Sequence, residues 1–280
     1  MKSNSYITSP TQKILVNGTH FTYRITGDHP GIPLILLNHL TGTLDNWDPQ
    51  IVDGLATEHT VITFNARGVG SSEGAVPPTV EAMATDAIDF ITALGYKKVN
   101  ILGFSLGGMV AQYLIQQSPL LVNKLILAGT GPAGGAGIEN VTKVTIWDML
   151  RAFATFNDPK VFLFFTRTQN GKQAAKLFLA RLKERQQNRD TAISLIAFAR
   201  QLKAIHRYGK QQPVDLSYIT QPTLVANGDD DRMIPTRNSE DLAKRITHSQ
   251  LAIYPDAGHA GIFQYSKEFT KTALAFLEQR

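Results

Sequence analysis

The 280-residue chain contains no cysteine. A disulfide framework, a thiolate nucleophile and a Cys-ligated metal site are thereby excluded, and a chain without thiols is compatible with any redox compartment. Long apolar runs are also missing. The strongest, residues 33–37 and 161–165, fall far short of the roughly 20 residues that span a bilayer. Residues 1–12 (MKSNSYITSPTQ) hold no apolar run, so a secretory signal is not expected. There is no P-loop, no dinucleotide fingerprint followed by an acidic residue and no His/Glu metal spacing, so no cofactor and no metal is implied. A soluble, cytoplasmic protein without a membrane span is the expectation.

What is present is an ordinary globular balance, 43% hydrophobic and 18% charged, which excludes a fully disordered chain. The length suits one α/β core of about 200 residues plus one insertion. The net charge of +5 is uneven. Residues 132–212 hold 14 Lys/Arg and 5 Asp/Glu, a net of +9, whereas the remainder holds 14 and 18, a net of −4. The basic character belongs to one central segment. Its cations, including Arg181, Lys183, Arg185 and Arg189, read as a solvated helix face. No recognition motif accompanies them, so a nucleic-acid partner is not expected.

Short β-rich runs alternate with helical patterns through the first third. Residues 13–16 and 21–25 flank Asn17-Gly18, a hairpin signal because both residues tolerate positive φ. Residues 33–37, 60–64, 99–104 and 124–128 read as buried strands, with helices over 79–94 and 106–117. The pattern resumes with a strand at 223–226, a helix at 236–246, a strand at 251–253 and a closing helix at 267–279. Alternating strands and helices predict a mostly parallel sheet covered on both faces. Residues 132–212 break the alternation with helical stretches and no convincing strand. They read as a helical cap inserted into a core made of residues 1–131 and 213–280.

Gly103-Phe-Ser105-Leu-Gly107 matches G-x-S-x-G, a weak pattern alone. Here it follows a buried strand and opens a helix, the setting in which flanking glycines permit a sharp turn and expose the serine hydroxyl. Serine needs a base, and His259, in a glycine-flanked loop after a strand, is the candidate. The base needs an acid to orient it. Asp229, Asp230 and Asp231 follow the 223–226 strand, and chemistry alone leaves the choice among them open.

With these residues the chain resembles the α/β-hydrolase superfamily, in its compact branch of cofactor-free haloperoxidase-like esterases and enol-lactonases. The resemblance covers about residues 12–131 and 213–280 and is weak in the cap. It implies the order Ser105, Asp231, His259. The family's acid lies in G-x-x-D-x-x-x-P, and only Asp231 has both spacings, to Gly228 and Pro235. Asn65-Ala-Arg67-Gly-Val-Gly70-Ser71-Ser72 resembles the family's D-x-R-G-x-G-x-S turn with Asn in place of Asp. It reads as structural, with Arg67 expected to bond backbone carbonyls. Asn38-His39-Leu40 aligns with the family's H-G-x, which implies that the N–H groups of Leu40 and Leu106 form an oxyanion hole. His39 stands where the family has glycine. It either lines the site or adds a donor, or more plainly packs against its loop. A serine at the elbow excludes the dehalogenases and epoxide hydrolases of this fold, which carry aspartate there.

The cap supplies Trp147, Met149, Phe153, Phe156, Phe162, Phe164, Phe165, Phe178 and Phe198. Some pack the cap onto the core, and the rest line a pocket for an apolar acyl or alcohol group, for which Trp147 is a candidate. The implied function is a serine hydrolase of small-molecule carboxylic esters, thioesters or lactones working through an acyl-enzyme. Two alternatives stand beside it: carbon–carbon bond hydrolysis or perhydrolysis on the same triad, and a ligand-binding receptor on a hydrolase scaffold. A homo-oligomer is left open.

Overall fold

Successive strand residues point to opposite faces of a sheet, and in the central strands of this protein both directions are apolar. A computed structural model describes residues 5–279; residues 1–4 and 280, where the two expected core stretches begin and end, lie outside the described residues. Strands β1 (Gln12–Val16) and β2 (Thr19–Thr26) form an antiparallel hairpin around Asn17 and Gly18, whose φ values are 47° and 75°. There follow β3 (Leu34–Leu37), α1 (Pro49–Leu55), β4 (Val61–Phe64), α2 (Val80–Ala93), β5 (Val99–Phe104), α3 (Leu106–Gln117) and β6 (Val122–Ala128). Four helices without a strand come next: α4 (Val141–Ala154), α5 (Lys160–Phe164), α6 (Gln169–Arg181) and α7 (Leu195–Gly209). Then β7 (Thr223–Gly228), α8 (Arg237–Arg245), β8 (Ser249–Tyr254), α9 (Gly261–Gln264) and α10 (Ser266–Glu278) close the chain.

The strands form one sheet in the order β1-β2-β4-β3-β5-β6-β7-β8. β2 is antiparallel to both neighbours, and from β4 to β8 all pairings are parallel. Ile35, Leu37, Ile101, Leu125 and Val225 pack on one face with apolar residues of α2, α3 and α8. The residues between them, Leu34, Leu36, Leu102, Ile126 and Leu224, pack on the other with α1 and α10. Each such side chain contributes about 1.5–3 kcal/mol by leaving water. The helix α1 is additional to the elements predicted above. Its signal is Asp48-Pro49: the Asp48 carboxylate accepts from the Gln50 N–H (3.0 Å) and proline takes the first helical position, where no N–H is needed.

The segment between β6 and β7 is fastened to the rest of the protein by polar side chains, and two expectations change. Arg181 and Arg185 are not a solvated face. Arg181 forks onto the buried Asp48 carboxylate at 2.6–3.0 Å. Arg185 is itself buried and donates to the carbonyls of Tyr6, Ile7 and Ser9. Lys183 is exposed. Arg67 bonds the Asp86 carboxylate (2.7–2.9 Å) and the Thr19 hydroxyl rather than backbone carbonyls. Asn65, the departure from the family aspartate, donates through Nδ2 to Asp190 Oδ2 at 2.6 Å. The other Asp190 oxygen accepts from the Ser71 N–H and hydroxyl. A carboxylate at position 65 would face the Asp190 carboxylate, and like charges at that distance repel.

Candidate active site

Parallel strands bring their carboxyl ends to one edge, and the loops after β3, β5, β7 and β8 meet there. Ser105, between β5 and α3, has φ 56° and ψ −116°, a conformation that L-residues with side chains avoid. It is held from both sides: its N–H donates to the Ala128 carbonyl (2.8 Å) and its carbonyl accepts from Thr130 Oγ1 (2.8 Å). The glycines of the motif are sterically required. A Cβ at Gly107 would strike the Leu37 carbonyl, and one at Gly103 the carbonyl of Gly107.

The structure brings Ser105, His259 and Asp231 together. The Ser105 hydroxyl donates to His259 Nε2 at 2.8 Å, and His259 Nδ1–H donates to Asp231 Oδ2 at 2.8 Å. All three are buried. The second oxygen of Asp231 accepts from the N–H groups of Met233 (2.8 Å) and Ile234 (2.9 Å), which fixes the carboxylate plane. Asp229 instead caps the Ala257 N–H (3.1 Å), and Asp230 is exposed. Such a relay can draw the proton from a serine hydroxyl as it attacks a carbonyl carbon.

Among the described residues, the N–H groups of Leu40 and Leu106 have no hydrogen-bond partner. Leu106 begins α3, so its N–H has no acceptor within the helix and carries the positive end of the helix dipole. The loop bearing Leu40 is pinned at two points. Asn38 Oδ1 accepts from the His39 N–H (2.9 Å), and Gln201 Oε1, reaching from α7, accepts from the Thr41 N–H (2.8 Å). Thr41 has φ 65°, so Gln201 holds a strained residue beside Leu40.

His39 packs. Its ring stands edge-on to Phe104 and Phe164, with centroids 5.5 and 5.1 Å away. Its Nδ1 lies 2.6 Å from the Leu40 carbonyl, which can only accept, so Nδ1 carries the proton and the buried, unpartnered Nε2 is bare. Burial pushes its pKa down to about 3, only partly offset by the Leu40 carbonyl, with Lys160 and His259 pressing in the same direction as burial. A ring that is neutral and unprotonated at Nε2 cannot donate to an oxyanion from that nitrogen.

Ser105, His259, His39 and Leu40 line a cavity of about 280 Å³ whose far side comes from the helices between β6 and β7. Thr145, Met149, Leu163, Phe164, Ile193 and Phe198 form that side, with Asp158 and Lys160 also lining it. Leu106 borders a separate chamber of about 40 Å³, which also touches His39. Trp147 corrects an expectation. It is 65% exposed and lines an outer groove between α4 and α7, because α4 turns Thr145 and Met149 toward the cavity and Trp147 away from it. Gln201, Thr145 and Asp190 were not singled out from sequence. No local pattern marks them, since each acts through a contact distant in the chain. Among the described residues, no cluster of three or more acidic or histidine side chains is placed to hold a metal ion, and no helix is long and apolar enough to cross a membrane.

Comparison with known proteins agrees with this architecture. The α/β-hydrolase fold family model matches residues 32–264. An α/β-hydrolase fold protein from Chitinophaga pinensis superposes with a TM-score of 0.94 at 38% identity, over 99% of this chain and 100% of that one. A poly(3-hydroxyalkanoate) depolymerase of Ectopseudomonas oleovorans is 29% identical over 88% of this chain and 84% of its own length. The human serine hydrolase BPHL is 24% identical over 95% of this chain and 86% of its own.

Proposed function

The chain belongs to the α/β-hydrolase family and is a hydrolase, and from that premise we propose that it cleaves carboxylic esters, thioesters or lactones through an acyl-enzyme on Ser105. The observation that carries this reading is the continuous relay from Ser105 Oγ through His259 to Asp231, with both links at 2.8 Å, opening into a largely apolar cavity. Ser105 Oγ attacks the substrate carbonyl while its proton passes to His259 Nε2. Asp231 stabilises the resulting imidazolium and keeps Nδ1 protonated beforehand. The tetrahedral oxygen takes up negative charge and is met by the N–H groups of Leu40 and Leu106; one such donor is worth about 3–4 kcal/mol. Collapse breaks the bond to the leaving alcohol, which takes the proton from Nε2. Water then attacks the acyl carbon while giving a proton to Nε2, and collapse breaks the bond to Ser105 Oγ, which takes that proton back as the acid leaves.

Residues 132–212 act in this scheme as a cap over a core made of 1–131 and 213–280, supported by the cavity-lining side chains that α4, α5 and α7 contribute. The apolar lining favours an aliphatic or aromatic acyl group. Ser105→Ala should lower kcat for p-nitrophenyl esters by about 10⁴–10⁶ with an unchanged melting temperature. A fluorophosphonate probe should label Ser105 in the native chain and leave the alanine variant unlabelled. A folded native chain that stays unlabelled, or an alanine variant retaining a tenth of the activity, would overturn the assignment.

A further inference from the structure

α4 is apolar on its outer side as well as its inner one. Trp147, Leu150 and Phe153 follow one another at helical spacing on that outer side, and Phe153 is 84% exposed. Phe156, just beyond the helix, is 98% exposed and sits at φ 53°, a left-handed conformation costly for a bulky residue. Leu195 and Ile196, at the start of α7, are also exposed, and Leu195 lines the same cavity as Met149 of α4. Soluble monomers rarely expose contiguous apolar surface of this kind unless something covers it.

We propose that this face seats the protein on an anionic lipid surface, from which apolar substrates pass into the Ser105 cavity. Two observations choose the occupant. The first is charge. Lys143 and Lys203 border the groove that holds Trp147, and Arg151 lies on α4 with its guanidinium 4.6 Å from the Phe162 ring centre. Glu139 is the one acid lining that groove, and Asp148 of α4 is buried and 3.4 Å from Arg232. An apolar face bordered by cations matches a lipid surface of negative charge. A second copy docking here would bring together two faces bordered by Lys143, Arg151 and Lys203 with Glu139 the one acid lining the groove, and a two-fold interface has to be complementary to itself. The second observation is continuity. Met149 and Leu195 belong both to the exposed face and to the lining of the cavity that holds Ser105. Delivery to that cavity rests on the reading of Ser105 as nucleophile, whereas attachment to the surface does not.

The experiment uses the Ser105→Ala chain, so that attachment is read without turnover, and vesicles of equimolar phosphatidylcholine and phosphatidylglycerol. The protein has two tryptophans, and Trp47 is buried, so a blue shift of emission on adding vesicles reports Trp147. The expected result is co-flotation with a blue shift, at least about tenfold weaker on pure phosphatidylcholine and weakened by salt. Phe153→Ser/Phe156→Ser should lower partition about tenfold or more. Placed in the active chain, the same pair should leave the melting temperature and hydrolysis of a short soluble ester unchanged while slowing hydrolysis of an ester dissolved in the vesicles. Lys143→Glu/Arg151→Glu should abolish the preference for anionic vesicles. Absence of partition, or partition unaffected by the two phenylalanine substitutions, overturns the proposal. So does a dimer seen by light scattering that those substitutions dissociate, which would make the face an interface between copies. Partition that persists while the active chain hydrolyses no ester in any form sinks the acyl-enzyme reading and leaves the attachment standing.

Discussion

The two walls of the Ser105 cavity are built by different means. On the sheet side, Ser105, Asp231 and His259 each follow a strand closely, and neighbouring strands lock that backbone through the parallel ladder. On the opposite side, α4, α5 and α7 carry the lining residues, and no ladder reaches them. They are held by side-chain contacts such as Arg181 on Asp48, Asp190 on Asn65 and Ser71, and Gln201 on Thr41. Under the proposed mechanism the reacting atoms sit on the stiff wall and the substrate-contacting atoms on the adjustable one, as expected where chemistry tolerates errors of only about half an ångström. Damage to the first wall should remove rate. Damage to the second should loosen the fit or the assembly.

The largest effect expected within this contrast is at Asp231. Asp231→Asn should lower kcat by about 10³–10⁴, because the amide presents the wrong partner to Nδ1, whereas Asp229→Asn and Asp230→Asn should each cost less than about tenfold. Equal losses at all three, by steady-state kinetics, would break the contrast on its stiff side. On the other wall, Asp190→Ala strips acceptors from Asn65, Ser71 and the Leu44 N–H. It should destabilise the fold by about 2–3 kcal/mol in urea unfolding while kcat for a small ester changes less than about threefold.

His39 sharpens the contrast through pH. In the folded chain its pKa is about 3, against about 6.5 unfolded. Below pH 6.5 the unfolded chain gains a proton that the folded chain refuses. The stabilisation is therefore complete above 6.5 and is lost as pH falls toward 3. Between pH 7.5 and 5 the native chain should lose about 2 kcal/mol more than His39→Gln does, with kcat at pH 7.5 within about threefold. Parallel stability curves would contradict the buried neutral ring. The smallest expected effect is at Gln201. Gln201→Leu should lower kcat about tenfold with KM little changed, since it releases Thr41 beside the Leu40 N–H, and Gln201→Glu, which keeps an acceptor, should recover most of the loss. A change confined to KM would assign Gln201 to the substrate wall alone.

The same division governed what could be read from the amino-acid sequence. The hairpin at Asn17-Gly18 and the strand-to-helix turn at Ser105 are local rules, since each is set by the backbone within a few residues, and the family motif from Gly228 to Pro235 is likewise short. Resemblance to the α/β-hydrolase motif, through the spacings to Gly228 and Pro235, pointed to Asp231 among three adjacent aspartates, and the structure has that carboxylate against His259. The contacts of the helical segment are not local. Helical periodicity says that α4 has an apolar side but not which side faces the cavity, so Trp147 was placed inward although it points outward. A run of arginines looks solvated until its carboxylate and carbonyl partners, far away in the chain, are known. Asn65 stood out as a departure, but its reason, Asp190, lies 125 residues later.

One position belongs to neither wall. His39 lines both the 280 Å³ cavity and the 40 Å³ chamber. The smaller chamber continues among Leu37, Phe64, Met83, Ala87 and Val110, with Asn38, Arg67, Asp86 and Gln201 also lining it. Under the acyl-enzyme reading proposed above, a ring that lines both spaces would limit how far an acyl chain extends from Ser105. On that reading, shortening this one side chain is expected to lengthen the acyl group accepted in a chain-length series of esters, while Ser105, Asp231 and His259 stay where they are.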